Sequence, residues 1–345
     1  MRFIPRFRLK LTLALLTSAS LTIASLVHAQ NLLYTDHPLN GKIWDMKSQS
    51  FIDEVTLIDR INKSNVLLLG EVHDNTQHHE LQEKLLQARI DSGAKPALMM
   101  EQFDAASQPI LDQAQAGVMS DDVLNNVTAL IKFSDWQMYS PLVAIAVNNR
   151  LHIIAANVPN QYLQPVIWKG YAAYDQNELN RLKVEEVWNE KRQRYLAANM
   201  GGAHCGRLRD DLRAGLSRSQ RLRDALMADS AISSIPHGVV GIVGSSHARR
   251  DIGLPLYFAA RDPSAIVYSI GFTEVSNGRT DPRAYTDSAT GEAPFDVVWF
   301  TPRMDRKDPC ADFGKPKGYE AEDVSEPEPQ PVTPKSRRDS DPYLQ

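Results

Sequence analysis

Ten residues, GEVHDNTQHH at positions 70–79, place three histidines and two acids directly after the apolar run NVLLL. A buried strand should be giving way to a helix there. Glu71 and His73 are two apart on an extended segment, so both side chains leave the same face of the sheet. A carboxylate beside an imidazole suits a general base held by an acid. With a further His it also suits a divalent metal. Other apolar runs end alike: ALMM on Glu101, LHIIAA on Asn157, and GVVGIVG on Ser245, Ser246 and His247. Ligands of an open parallel sheet sit beyond the carboxyl ends of its strands. Glu71, His73, Glu101 and His247 are therefore the set expected to act if the chain is a hydrolase. Glu71, His73 and His247 are the expected ligands of any metal.

Other side chains could join that cleft. His78 lies toward the helix face Leu81, Leu85 and Ala88, whereas His79, four before Glu83, is expected in solvent. Asp74 and Asn75 suit a helix cap. HHELQEK begins like the zinc motif HExxH, but Glu83 stands where the second His is needed. Arg223 and Asp224 of RLRDALMA and Arg249 of SSHARRDIGLP are further candidates with Asn157. An Arg there could neutralise a ligand carboxylate, and surface ion pairing is the competing expectation. No Walker, dinucleotide-binding or GxSxG motif is present.

Positioning these ends requires six buried runs, at 65–73, 97–103, 151–159, 237–247, 265–272 and 295–303, with helical stretches between them. That alternation predicts an α/β fold, a mostly parallel sheet flanked by helices. Residues 160–231 contain no strand pattern and predict an inserted helical subdomain within a domain spanning 30–305. Beyond it, 306–345 is rich in Pro and charge and predicts a disordered tail.

The first 29 residues read as a secretory signal: Arg2, Arg6, Arg8 and Lys10, then an apolar stretch, then a small-residue cut site after Ala29. Removing those four positive charges takes the formal charge from −4 to −8. With no basic block left, nucleic acid is not an expected partner. No cysteine follows the cut, so a lipid anchor is not expected and the location is periplasmic. Cys205 and Cys310 are the two cysteines. In an oxidising compartment they are expected to pair, two free thiols being the alternative.

The order of LLLGEVHDNTQHHELQ, MMEQFD, WQMYSPLVAIAVNNRLHIIAANVP, GGAHCG, RLRDALMA, GIVGSSHARRDIGLPLY and DVVWFTPR resembles the ChaN-like haem-binding family. That family shares the GExH and GxxH elements, here Gly70–His73 and Gly244–His247, with Tiki proteases, TraB proteins and erythromycin esterases. The resemblance implies an exported haem-binding protein tied to iron uptake. It also implies a homodimer holding two stacked haems through tyrosine, with outer-membrane haem or iron uptake machinery as partner. Tyr162, Tyr171, Tyr174 and Tyr195 fall in or beside the insertion. Tyr195 is the first candidate ligand, since Leu196 and Met200 could cover a porphyrin face, and Tyr171 and His204 follow. Helix packing is the alternative role for each. The wider superfamily keeps a metal-dependent or His-base hydrolase as the second expectation.

Overall fold

Apolar runs that read as buried strands form the middle of the sheet in the computed structural model, which describes residues 31–115, 133–203, 205–307 and 310. Its strands are β1 (Leu32–Leu33), β2 (Ile43–Asp45), β3 (Ser50–Ile52), β4 (Val66–Glu71), β5 (Ala97–Asp104), β6 (Ile153–Asn157), β7 (Val239–Gly244), β8 (Val267–Glu274), β9 (Val297–Thr301) and β10 (Arg303–Met304). Its helices are α1 (Glu54–Ile61), α2 (Thr76–Asp91), α3 (Gln108–Gln115), α4 (Phe133–Asn148), α5 (Asn160–Lys169), α6 (Gln176–Arg181), α7 (Glu190–Ala203), α8 (Asp210–Ala231), α9 (Ser245–Ala248) and α10 (Leu254–Arg261).

The large sheet runs β3-β2-β9-β8-β4-β7-β5-β6. From β9 to β6 every pairing is parallel. An antiparallel hairpin, β2 and β3, closes one edge. It escaped the sequence pattern because each strand is three residues long, too short for a period of two to register.

Alternation within β4 shows why the sheet is covered on both faces. Val66 and Leu68 enter one core with Leu163, Val166, Trp188, Leu196 and Leu222 of the 160–231 stretch. Leu67 and Leu69 enter the other with Leu85 and Leu86 of α2 and Leu142 of α4. Successive side chains of a strand point oppositely, so a run apolar at every position must be buried twice. Between β6 and β7 the described elements are all helical.

Gly70 lets the turn after β7 close onto β4. A Cβ there would lie 2.7 Å from Ala248 Cβ and 3.1 Å from Ser245 Cα. The Cys205–Cys310 disulfide ties the end of the α7 region to the C-terminal segment, as expected. Arg306, placed in the tail by composition, instead pairs with Asp74 and Glu274. Residues 308–309 and 311–345 of that tail and the proposed signal segment lie outside the described residues. Among those described, no helix is long and apolar enough to cross a membrane.

Candidate functional site

Register brings the strand ends together. β4 and β7 pair to their last residues, so Glu71 sits beside Gly244. Pairing of β5 with β7 stops at Met100 and Ile242, and β5 becomes irregular after Met100. Glu101 is thereby released to turn its carboxylate across the sheet, where Oε2 accepts the Gly244 N–H at 2.7 Å.

The Glu71 carboxylate is the hub of one half of the site. Its Oε1 accepts from Tyr139 Oη at 2.6 Å, His73 Nδ1 at 2.8 Å and Gln102 Nε2 at 3.0 Å. Its Oε2 accepts from Gln82 Nε2 at 2.7 Å and lies 3.3 Å from His79 Nδ1. The Glu71 side chain is fully enclosed, while that of His73 is 59% exposed. His73 is thus the group of this pair that solvent or a substrate can reach. The hydrogen bond to Glu71 raises its pKa above the ordinary imidazole value.

The other half is a buried relay. His247 Nδ1 donates in a short hydrogen bond to Asp224 of α8, and its Nε2 lies 3.3 Å from Glu101 Oε1. Burial opposes protonation of His247, yet the Glu101 and Asp224 carboxylates overcome it and hold the pKa at about 10. Burial pushes Glu101 up, but the charges of His247 and His73 and the Gly244 N–H hold it down at about 2. Asp224 is raised, chiefly by burial, and its Oδ2 has no hydrogen-bond partner among the described residues. Glu101 therefore carries the charge that keeps the imidazole protonated, with Asp224 hydrogen-bonded at its other nitrogen. The two halves meet over Gly244: a Cβ there would lie 3.1 Å from His73 Nε2 and 3.6 Å from Glu101 Oε2.

Glu71, His73, Glu101 and His247 thus converge, and Asp224 joins them. Among the described residues no group of three His, Cys, Asp or Glu side chains stands ready to hold a metal ion, and His73 and His247 each face a different carboxylate. Ser245 Oγ donates to the Glu71 carbonyl at 2.9 Å, which gives it a structural task.

His79 corrects the sequence expectation. It is buried rather than in solvent, with Nε2 donating to the His73 carbonyl at 3.0 Å. Its neighbour His78 packs away from the cluster, against Phe272 and Thr301. There Nδ1 accepts the Val72 N–H at 2.9 Å, so Nε2 carries the proton. Burial lowers its pKa to about 3, keeping it neutral. Asn75 caps α2 by accepting from Gln77 N, but Asp74 pairs with Arg306.

Asn157, Arg223 and Arg249 hold the surroundings. Asn157 Oδ1 accepts from Arg223 at 2.6 Å, fixing the α8 turn from which Asp224 reaches inward. Arg249 forms a two-pronged pair with buried Asp251 and lies 5.0 Å from the ring centre of Tyr195. Surface pairing, the competing expectation, therefore fails for Asp224 and Asp251, both fully enclosed.

Sequence reasoning missed Tyr139, Gln82 and Gln102 as donors to Glu71. Gln82 carries the one available signal, three positions after His79 on the same helix face. Tyr139 is 68 positions from Glu71 and has none.

A second feature lies in the helical layer. A cleft of about 410 Å³ is lined by Tyr171, Leu196, Ala197 and Ala214, with Arg218 and Arg221 among its polar residues. Its volume is that of a small-molecule pocket. Tyr171 Oη donates to the Arg218 carbonyl at 3.0 Å, and burial raises its pKa. Tyr195 and Met200 are half-buried against the core and are not among the residues that line this cleft, whereas buried Leu196 is. His204 lies outside the described residues.

A parallel sheet with a carboxylate–histidine cluster at its strand ends and a helical layer above defines the class of protein. The chain belongs to the family described as haem-binding uptake, Tiki superfamily, ChaN, whose model matches residues 57–258. Among solved structures it is similar to ChaN of Campylobacter jejuni, described for cofacial haem binding. The identity is 20% and the TM-score 0.58, over 74% of this chain and 95% of that one. An erythromycin esterase in its open conformation shares 10% identity at a TM-score of 0.41, over 76% of this chain and 98% of that one. No curated protein matches the chain.

Proposed function

We propose that this chain is an exported haem-binding protein serving haem or iron uptake, with haem seated against the helical layer and Tyr195 as its iron ligand. The observation that carries the reading is the family match, which runs through both the strand ends and the helices from 160 to 231. Tyr195 is favoured over Tyr171 because Tyr171 already donates to the Arg218 carbonyl, whereas Tyr195 Oη makes no hydrogen bond among the described residues. Haem would supply an iron centre, which the Tyr195 phenol oxygen would hold. The chain's own residues supply the phenol, apolar cover and surrounding cations. A homodimer holding two haems face to face and outer-membrane uptake machinery as partner belong to the same proposal; the Campylobacter protein is described for cofacial haem binding. Export rests on the basic, then apolar, leader.

The test is a haem titration of the purified mature chain followed by its Soret band. Saturable uptake that Tyr195→Phe removes, with secondary structure intact, supports the reading. No spectral change with excess haem overturns it.

A second reading is favoured by one observation: the reachable His73 is oriented by an enclosed carboxylate and stands over the Glu101–His247 relay. A hydrolase could use His73 as general base, with or without a divalent metal as Lewis acid. Turnover of ester or amide substrates that survives in Tyr195→Phe but is lost in His73→Gln would support it.

A further inference from the structure

The geometry points to a carboxylate-binding subsite in the cleft between α7 and α8, built on Arg218 and Arg221. The Arg221 guanidinium is held between two rings, 4.7 Å from the centre of Trp188 and 5.5 Å from that of Tyr171. Trp188 is itself pinned by its Nε1 donating to Tyr257 Oη at 2.8 Å. The Arg221 side chain is only 7% exposed, yet among the described residues its single hydrogen-bond partner is Glu185, and Nε has none. Arg218 makes one long hydrogen bond, to the Ile167 carbonyl at 3.4 Å, and its Nε is also buried without a partner. Glu185 engages one Nη of Arg221 and the Ile167 carbonyl one Nη of Arg218, so each guanidinium keeps N–H groups with no acceptor among the described residues. Buried donors in a folded protein, by contrast, are almost always matched.

Charge and shape restrict that acceptor. Arg194, Arg218 and Arg221 face the cleft against the one acid Glu185. Leu196, Ala197 and Ala214 give it a carbon wall. A planar guanidinium fork already stacked on aromatic rings is preorganised for a planar two-oxygen anion. The ligand is therefore amphipathic, with a carboxylate at the arginines and an apolar body along α7. Two sources share this chemistry: the propionates of haem, in which case the inference rests on the haem reading, and a free aliphatic carboxylate.

The experiment compares wild type with Arg218→Gln and Arg221→Gln, using three probes: iron protoporphyrin IX, its dimethyl ester, and octanoate. Thermal melts without ligand check that each variant is folded. Arg218, in no ion pair among the described residues, keeps the test valid should Arg221→Gln not fold. The loss of one charge-assisted hydrogen bond predicts roughly tenfold weaker binding of the free acid in each variant, and no change for the ester. Binding of octanoate alone, weakened equally by both variants, supports the subsite while overturning the haem reading. Haem bound equally as acid and ester, with neither variant altering it, overturns the subsite and leaves the haem reading standing. No binding of any probe overturns both.

Discussion

The strand ends and the helical layer differ in where their cations sit. The strand ends pair theirs with carboxylates inside the protein, though Asp224 Oδ2 and Gln102 Oε1 stay unpartnered there among the described residues. The helical layer lines an open cleft with arginines. At the strand ends Glu71 accepts from Tyr139, His73, Gln102 and Gln82, and His247 is held between two carboxylates. Charge is neutralised within the protein, and His73 alone extends to the surface. In the helical layer Arg218 and Arg221 keep buried N–H groups unmatched beside an open cleft. A satisfied network rigidifies a fold, whereas unmatched donors provide differential affinity for an incoming acceptor. On the proposed reading, the strand ends carry stability and proton chemistry and the helical layer carries ligand capture.

Four changes would break or sharpen that contrast. The largest effect is expected from replacing both Cys205 and Cys310 by Ser. Their bridge closes a separation of 105 residues, for which the chain-entropy model gives about 4–5 kcal/mol. Urea unfolding should show this loss, and hydrogen exchange should report it first in α7 and α8 while β4 and β7 stay protected. Equal deprotection of both would erase the distinction between the regions. Asp224→Ala comes next, leaving His247 with one carboxylate in a closed site, at about 3 kcal/mol. Haem uptake by the folded variant should persist, and its loss would mean that the strand ends form part of the ligand site.

Gly70→Ala is expected to cost about 2 kcal/mol by overpacking Ala248 against β4, measured by the shift in denaturation midpoint. The gentlest probe is pH. His247 is raised from 6.5 to about 10 in the folded state, so its contribution is complete below 6.5 and is lost as pH rises through about 10. His247→Gln should flatten the alkaline limb of stability across that window. A limb that survives the substitution would place its source elsewhere.

Much of the site was legible because it lies at the ends of buried runs. Glu71, His73, Glu101 and His247 follow apolar stretches that must be strands, and a parallel sheet collects such ends on one side. His79 was misjudged because a helical wheel weighs it against its own helix alone. The buried Glu71 carboxylate next door, needing donors, drew it inward with Gln82. The β2–β3 hairpin was silent for want of length, and Tyr139 for want of any local pattern.

Residue order by itself determined the covered parallel sheet and the strand-end carboxylate–histidine pairs, since periodicity and punctuation are local properties, while the candidate tyrosines came from the family resemblance. Only the tertiary structure decided that Asp224 crosses to His247, that His79 turns inward while His78 stays neutral, and that the helix face bearing Arg218 and Arg221 lines a cleft with Tyr171 and Glu185. Those outcomes depend on how each element desolvates its neighbours, and side chains 23 or more positions apart, like Asp224 and His247, share an environment only once the chain has packed.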